Sequence, residues 1–159
     1  MKHCPIRSRK LRFLILKVIF ACVHNAGRSQ MSAAFFNKYA DPAKAVAISA
    51  GTQPGERVHP EVVEVMREVG IDLTQAHPQK LSTELAQDAN LLITMGCGDA
   101  CPYIPGLRID DWPLPDPKGQ GIDQVRQIRD EIRGRVLALI QEELTAEDAK
   151  VRRGQSGPL

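Results

Sequence analysis

The sequence predicts an α/β fold, a single three-layer domain in which a four-stranded parallel sheet is flanked by helices. Three observations lead there. Apolar runs short enough for strands alternate along the chain with segments of helical periodicity. The first run is apolar at nearly every position, as a strand buried on both faces is. The chain has 159 residues, 43% hydrophobic and 25% charged, which suits one soluble domain able to hold a core without staples.

Residues 13–21 form that first run, and a loop over residues 22–28 follows at once. Ser29 is placed to cap a helix through Met31, Ala34, Phe35 and Tyr39, which Asp41-Pro42 stops. Residues 45–49 read as a short strand ended by Gly51. Pro54-Gly55 marks a loop. Pro60 opens a second helix, where its missing N–H costs nothing; Val62, Val65, Met66 and Val69 repeat at helical spacing, and Gly70 reads as its C-terminal cap. Residues 82–87 have room for one or two helical turns. Residues 91–95 read as a third buried strand bounded by Gly96, and residues 107–112 as a fourth. Residues 113–121 carry three prolines and two glycines and are irregular. A long amphipathic helix then runs over residues 122–144 on Ile122, Val125, Ile128, Ile132, Val136, Leu139 and Ile140. Its arginines 126, 129, 133 and 135 read as a solvated face paired with Asp123, Asp130 and Glu131, and Trp112 reads as core.

Residues 1–12 read as a basic leader, 13–145 as the folded domain and 146–159 as a polar, disordered tail. Lys2, Arg7, Arg9 and Lys10 precede an apolar stretch, as in a secretory signal. Arg12 and Lys17 interrupt that stretch, no A-x-A-like site follows, and it falls short of the ~20 residues that span a bilayer. The expectation is a cytoplasmic monomer. Its net charge of +2, from 21 basic and 19 acidic side chains, gives no global field for nucleic acid or membrane.

Four cysteines are present, at positions 4, 22, 97 and 101. In a cytoplasmic protein they serve as nucleophiles, redox thiols or ligands sooner than as staples. Cys4 falls in the leader and is assigned no role. Cys22 is followed five residues later by Arg28, in the loop Cys22-Val23-His24-Asn25-Ala26-Gly27-Arg28-Ser29. This loop leaves a buried strand and enters a helix, so right-handed crossovers place it at the carboxyl edge of the sheet, where open α/β folds bind ligands. A helix N-terminus there offers unpaired N–H groups and about half a positive charge. Successive loop amides, from Val23 to Ser29, can form an anion nest. Arg28 adds a planar fork that matches two oxygens of a tetrahedral anion. The same field favours thiolate, the nucleophilic form of cysteine. Ser29 can donate to the sulfur, and Asn25 can pin the loop.

These residues, with the later Asp116-Pro117, resemble the low-molecular-weight protein tyrosine phosphatase superfamily. The run from His24 to Met31 is similar to its arsenate reductase branch, in which Gln follows the Ser, as Gln30 does here. The phosphatase branch has Pro at that position and a second Cys where this chain has Gly27. The resemblance covers residues 16–144, including Ser49-Ala50-Gly51-Thr52, and implies a four-stranded parallel sheet flanked by helices.

The resemblance further implies a thiol relay. Cys22 attacks arsenate, Cys97 attacks the Cys22 sulfur as arsenite leaves, and Cys101 resolves the disulfide for an external reductant. Relatives that use thioredoxin space this pair more widely. A small thiol, mycothiol or glutathione with a glutaredoxin-like protein, is therefore an alternative electron source. No bound cofactor is expected, and the histidines 24, 59 and 77 lack metal-ligand spacing. Carry-over from the family makes Asp116 the acid that protonates the departing oxygen; Asp110 and Asp111 are nearby competitors that read better as strand-end residues. Hydrolysis of phosphate esters through a phosphocysteine is the alternative activity, and an oxyanion or redox sensor is the non-enzymatic one.

Overall fold

The computed structural model describes residues 15–96 and 104–155. Its strands are β1 (Leu16–Cys22), β2 (Ala45–Gly51), β3 (Leu91–Thr94) and β4 (Arg108–Asp111); its helices are α1 (Arg28–Tyr39), α2 (Pro60–Glu68), α3 (Thr83–Ala86) and α4 (Ile122–Gln155). The strands form one sheet in the order β2-β1-β3-β4, and every pairing is parallel. The chain steps to one side of β1 to make β2 and to the other to make β3. That reversal opens a crevice at the carboxyl end of β1.

The side chains of β1 alternate between two cores, as strand geometry requires. Val18, Phe20 and Cys22 face a large cluster built from α1, α2 and α4, whereas Ile19 and Ala21 face a small one with Leu81, Ala86 and Leu92. Both faces of the sheet are covered, though unequally. Val125, Ile128, Ile132 and Val136 of α4 are at most 4% exposed, and burying side chains of this kind stabilises by roughly 1.5–3 kcal/mol each. Trp112 lies in this larger core, its ring centroid 5.6 Å from that of Phe20. Among the described residues, no helix is long and apolar enough to cross a membrane.

The ends of α2 follow from its sequence. Pro60 stands at the first position. Beyond the C-cap Val69, Gly70 adopts φ +82°, the left-handed conformation that costs glycine least. The Ile71 N–H then donates to Met66 O at 2.9 Å and the Gly70 N–H to Arg67 O at 3.0 Å, the paired bonds of a Schellman ending.

Four expectations are corrected. Ser29 is not a cap: Gly27 holds the N-cap position of α1, and the Ser29 hydroxyl turns to Cys22 instead. All four residues of β4 are exposed, because it is an edge strand with only β3 beside it. The last helix continues past Leu144 to Gln155. The arginines of α4 are not all a solvated face. Arg129 is only 9% exposed, and with Arg126 it clasps Glu68 at the end of α2. The leader (1–12), including Cys4, and the end of the chain (156–159) lie outside the described residues.

Candidate active site

Cys22 closes β1 opposite Gly51 of β2 and is 2% exposed. The following loop treats its two kinds of backbone group in opposite ways. Its carbonyls are engaged: Thr52 N–H donates to Cys22 O, Gln53 N–H to Val23 O, Gly55 N–H to His24 O, His59 N–H to Ala26 O and Met31 N–H to Gly27 O. Gln30 Nε2 donates to Asn25 O and Ser32 Oγ to Arg28 O. No N–H from Val23 to Ser29 donates to any group among the described residues. Residues 25–29 are buried, and a buried amide without a partner costs about 1–3 kcal/mol. A row of such donors at a helix N-terminus is a site for an anion.

Asn25 holds the loop in shape. It is the one described non-glycine residue at positive φ, +51°, a conformation that asparagine tolerates better than most. Its Oδ1 accepts from Gln79 N–H at 2.9 Å and Gln30 Nε2 at 3.2 Å. Its Nδ2 donates to Ser29 Oγ at 2.7 Å. Ser29 Oγ keeps its own hydrogen while accepting from Asn25, and it lies 2.9 Å from Cys22 Sγ, so it can donate to a sulfur that has lost its proton. Gly51 makes room for the assembly. A Cβ there would lie 2.6 Å from Val23 O and 2.9 Å from Asn25 N.

Arg28 is buried, its side chain 8% exposed, and it meets two other segments. Nη1 donates to Leu114 O at 3.2 Å, and Nη2 lies 3.6 Å from Asp116 Oδ2. Gly96 adopts φ +81°, a conformation side chains rarely take, and a Cβ there would fall 2.7 Å from Arg28 Nη1. The Asp116 carboxylate is partly open to solvent, with 44% of its side chain exposed, and it accepts from Lys118 N–H at 2.9 Å. Asp110 and Asp111 are spent on the sheet edge: Asp111 Oδ1 accepts from Thr94 Oγ1 at 2.6 Å, and Asp110 Oδ1 from Asp111 N–H.

The structure thus brings together Cys22, the loop Val23 to Gly27, Arg28, Ser29 and Asp116. Cys97 and Cys101 lie outside the described residues; Gly96, the last described residue before them, touches Arg28. Reading the sequence did not assign Gln79 or His59 to this site. Gln79 reaches Asn25 across 54 positions, and nothing local announces such a contact. His59 donates its backbone N–H to Ala26 O at 2.9 Å, and its ring faces the Asp116 loop. Burial pushes its imidazole below the ordinary value of 6.5, with Asp116 and Glu61 pulling it up and Lys118 and His24 pushing it further down.

The profile of the low molecular weight phosphotyrosine protein phosphatases matches residues 17–150. The chain belongs to this family. Within it, a Halobacterium salinarum protein, whose arsenate reductase name is provisional, is 44% identical over 127 residues, covering 77% of this chain and 89% of its own. The glutaredoxin arsenate reductase of Synechocystis is 35% identical over 127 residues, covering 78% of this chain and 95% of its own. Among solved structures, the thioredoxin-dependent arsenate reductase of Corynebacterium glutamicum superposes with a TM-score of 0.70 at 34% identity, over 90% of this chain and 78% of that one.

Proposed function

We propose that this chain is a cytoplasmic arsenate reductase that serves arsenic detoxification. The observation that carries the chemistry is the row of amides from Val23 to Ser29, unengaged among the described residues, in the loop that follows Cys22, with the Arg28 fork at its end. Arsenate is preferred to a phosphate ester because of the likeness to relatives that bear that name and because Gly27 and Gln30 follow the arsenate reductase pattern.

In this reading the amides and Arg28 bind the tetrahedral anion and offset its charge. The Ser29 hydroxyl, 2.9 Å from Cys22 Sγ, orients the attacking sulfur. The sulfur attacks arsenic, an S–As bond forms and one As–O bond breaks. Asp116 supplies a proton, and the oxygen leaves as water. The Cys97 thiolate then attacks the Cys22 sulfur. An S–S bond forms, and the electron pair of the broken S–As bond stays with arsenic, which leaves as arsenite. Cys101 attacks the Cys97 sulfur, releases Cys22 as thiolate and leaves a Cys97–Cys101 disulfide. An external dithiol reduces that disulfide: thioredoxin, or a glutaredoxin-like protein with glutathione or mycothiol.

The test is arsenate-dependent NADPH oxidation with a thioredoxin system, repeated with the glutathione and mycothiol systems, beside hydrolysis of p-nitrophenyl phosphate. Arsenate-dependent oxidation with one of these reductants is expected. Ester hydrolysis without arsenate reduction would replace the assignment by a phosphatase. The relay is tested by Cys97→Ser, which is expected to stop multiple turnover; full turnover in that variant rules the relay out.

A further inference from the structure

Gly27 is in contact with the loop that carries Asp116. A Cβ built on it would lie 2.7 Å from Pro117 Cγ, 3.5 Å from Pro117 Cδ and 3.7 Å from His59 Cδ2. The proline ring therefore occupies the space that a side chain at position 27 would need. Pro117 is buried although it sits on a loop, while Lys118, Gly119 and Gln120 after it are exposed. We propose that Gly27 is a positioning residue, the seat on which Pro117 rests, and that this seat sets the height of the Asp116 carboxyl above the oxyanion loop.

Both sides of the seat resist movement unequally. Below it, Gly27 O accepts from Met31 N–H at 3.0 Å and Ala26 O from His59 N–H at 2.9 Å, so the loop is tied to α1 and α2. Above it, among the described residues, residues 114–118 are tied to Arg28 by one hydrogen bond at 3.2 Å and one ionic approach at 3.6 Å. A methyl group at position 27 would therefore lift the Asp116 loop sooner than depress the oxyanion loop. A displacement of about 1 Å in a catalytic group can cost roughly 10²-fold in rate.

This inference rests on the proposed function for its substrate but not for its geometry, and the experiment separates the two. Gly27→Ala, Pro117→Ala and their combination are assayed for arsenate reduction and for p-nitrophenyl phosphate hydrolysis, in the wild-type and Asp116→Asn backgrounds. Gly27→Ala is expected to lower kcat roughly 10–10²-fold with KM held within about twofold. Combining it with Pro117→Ala, which removes the obstructing Cγ, should restore most of the rate. In the Asp116→Asn background Gly27→Ala should add little, because the group being positioned is gone. A wild-type kcat in Gly27→Ala, or an undiminished loss in the Asp116→Asn background, overturns the seat. Should Gly27→Ala fail to fold, Pro117→Ala alone is expected to lower kcat several-fold at constant KM, and a wild-type kcat there overturns it equally. A wild-type enzyme that turns over only the ester counts against arsenate as substrate; the same comparisons on the ester still decide the seat.

Discussion

Two arginine-centred clusters in this protein use their hydrogen bonds in opposite ways. At the junction of α2 and α4, each partner is engaged. Glu68 accepts from Arg126 Nη2 at 2.7 Å and from Arg129 Nη1 at 2.7 Å. Arg126 also reaches Asp123, and Arg129 reaches Asp130 and Val65 O. At the end of β1, Arg28 makes one bond to Leu114 O and approaches Asp116 without closing on it, beside seven consecutive amides that donate to nothing among the described residues. A polar cluster whose donors and acceptors match is a clamp. One with a surplus of donors beside a cysteine fits the proposed role of holding an anion brought from outside.

The comparison can be broken most decisively at the sulfur. Cys22→Ser should lower turnover by roughly 10⁴-fold or more while leaving arsenate or phosphate binding measurable by calorimetry, since the amides and Arg28 remain. Loss of anion binding in that variant would show that the cup depends on the thiolate. The next largest effect sets the two arginines against each other. Arg28→Lys keeps the charge and removes the fork; kcat/KM should fall roughly 10²–10³-fold with little change in Tm. Arg129→Lys should do the reverse, lowering Tm by a few degrees and leaving kcat/KM near wild type. Steady-state kinetics and thermal unfolding on both variants check this, and equal effects would erase the distinction drawn between site and clamp.

The site was more legible in the sequence than the clamp, for a physical reason. Cys22, Asn25, Arg28 and Ser29 fall within one loop, between an apolar run and a helix, so local pattern alone places them together. The same holds for the strands and for Pro60 and Gly70 at the ends of α2. The clamp joins Glu68 to arginines 58 and 61 positions away, and no periodicity encodes that pairing; the α4 arginines looked solvated because only partners on their own helix are visible in sequence. Ser29 illustrates a finer failure. A hydroxyl before a helical run signals a cap, but Asn25 and Cys22 recruit it from either side, and Gly27 takes the cap position. The contacts of Gly27 and Gly51 were equally hidden, since a missing Cβ leaves no mark except its letter.

The smallest expected effect sharpens the clamp itself. Glu68 ends α2, where the helix dipole disfavours a carboxylate, yet the hydrogen bond from Arg126, helped by Arg129, holds its carboxyl below the ordinary value of 4.5. A carboxyl lowered on folding contributes stability that is fully present above its unfolded value and is lost as pH falls through the folded one. Glu68→Gln removes that contribution at every pH. The variant should therefore unfold more easily than wild type at pH 7, and the difference should close progressively as pH drops below about 4.5. Because the pair is exposed, the gap is small and salt should narrow it. Urea unfolding of both proteins across that range measures it. A gap that stayed constant into acid would mean that Glu68 contributes through packing, and the clamp would then owe its strength to shape and not to charge.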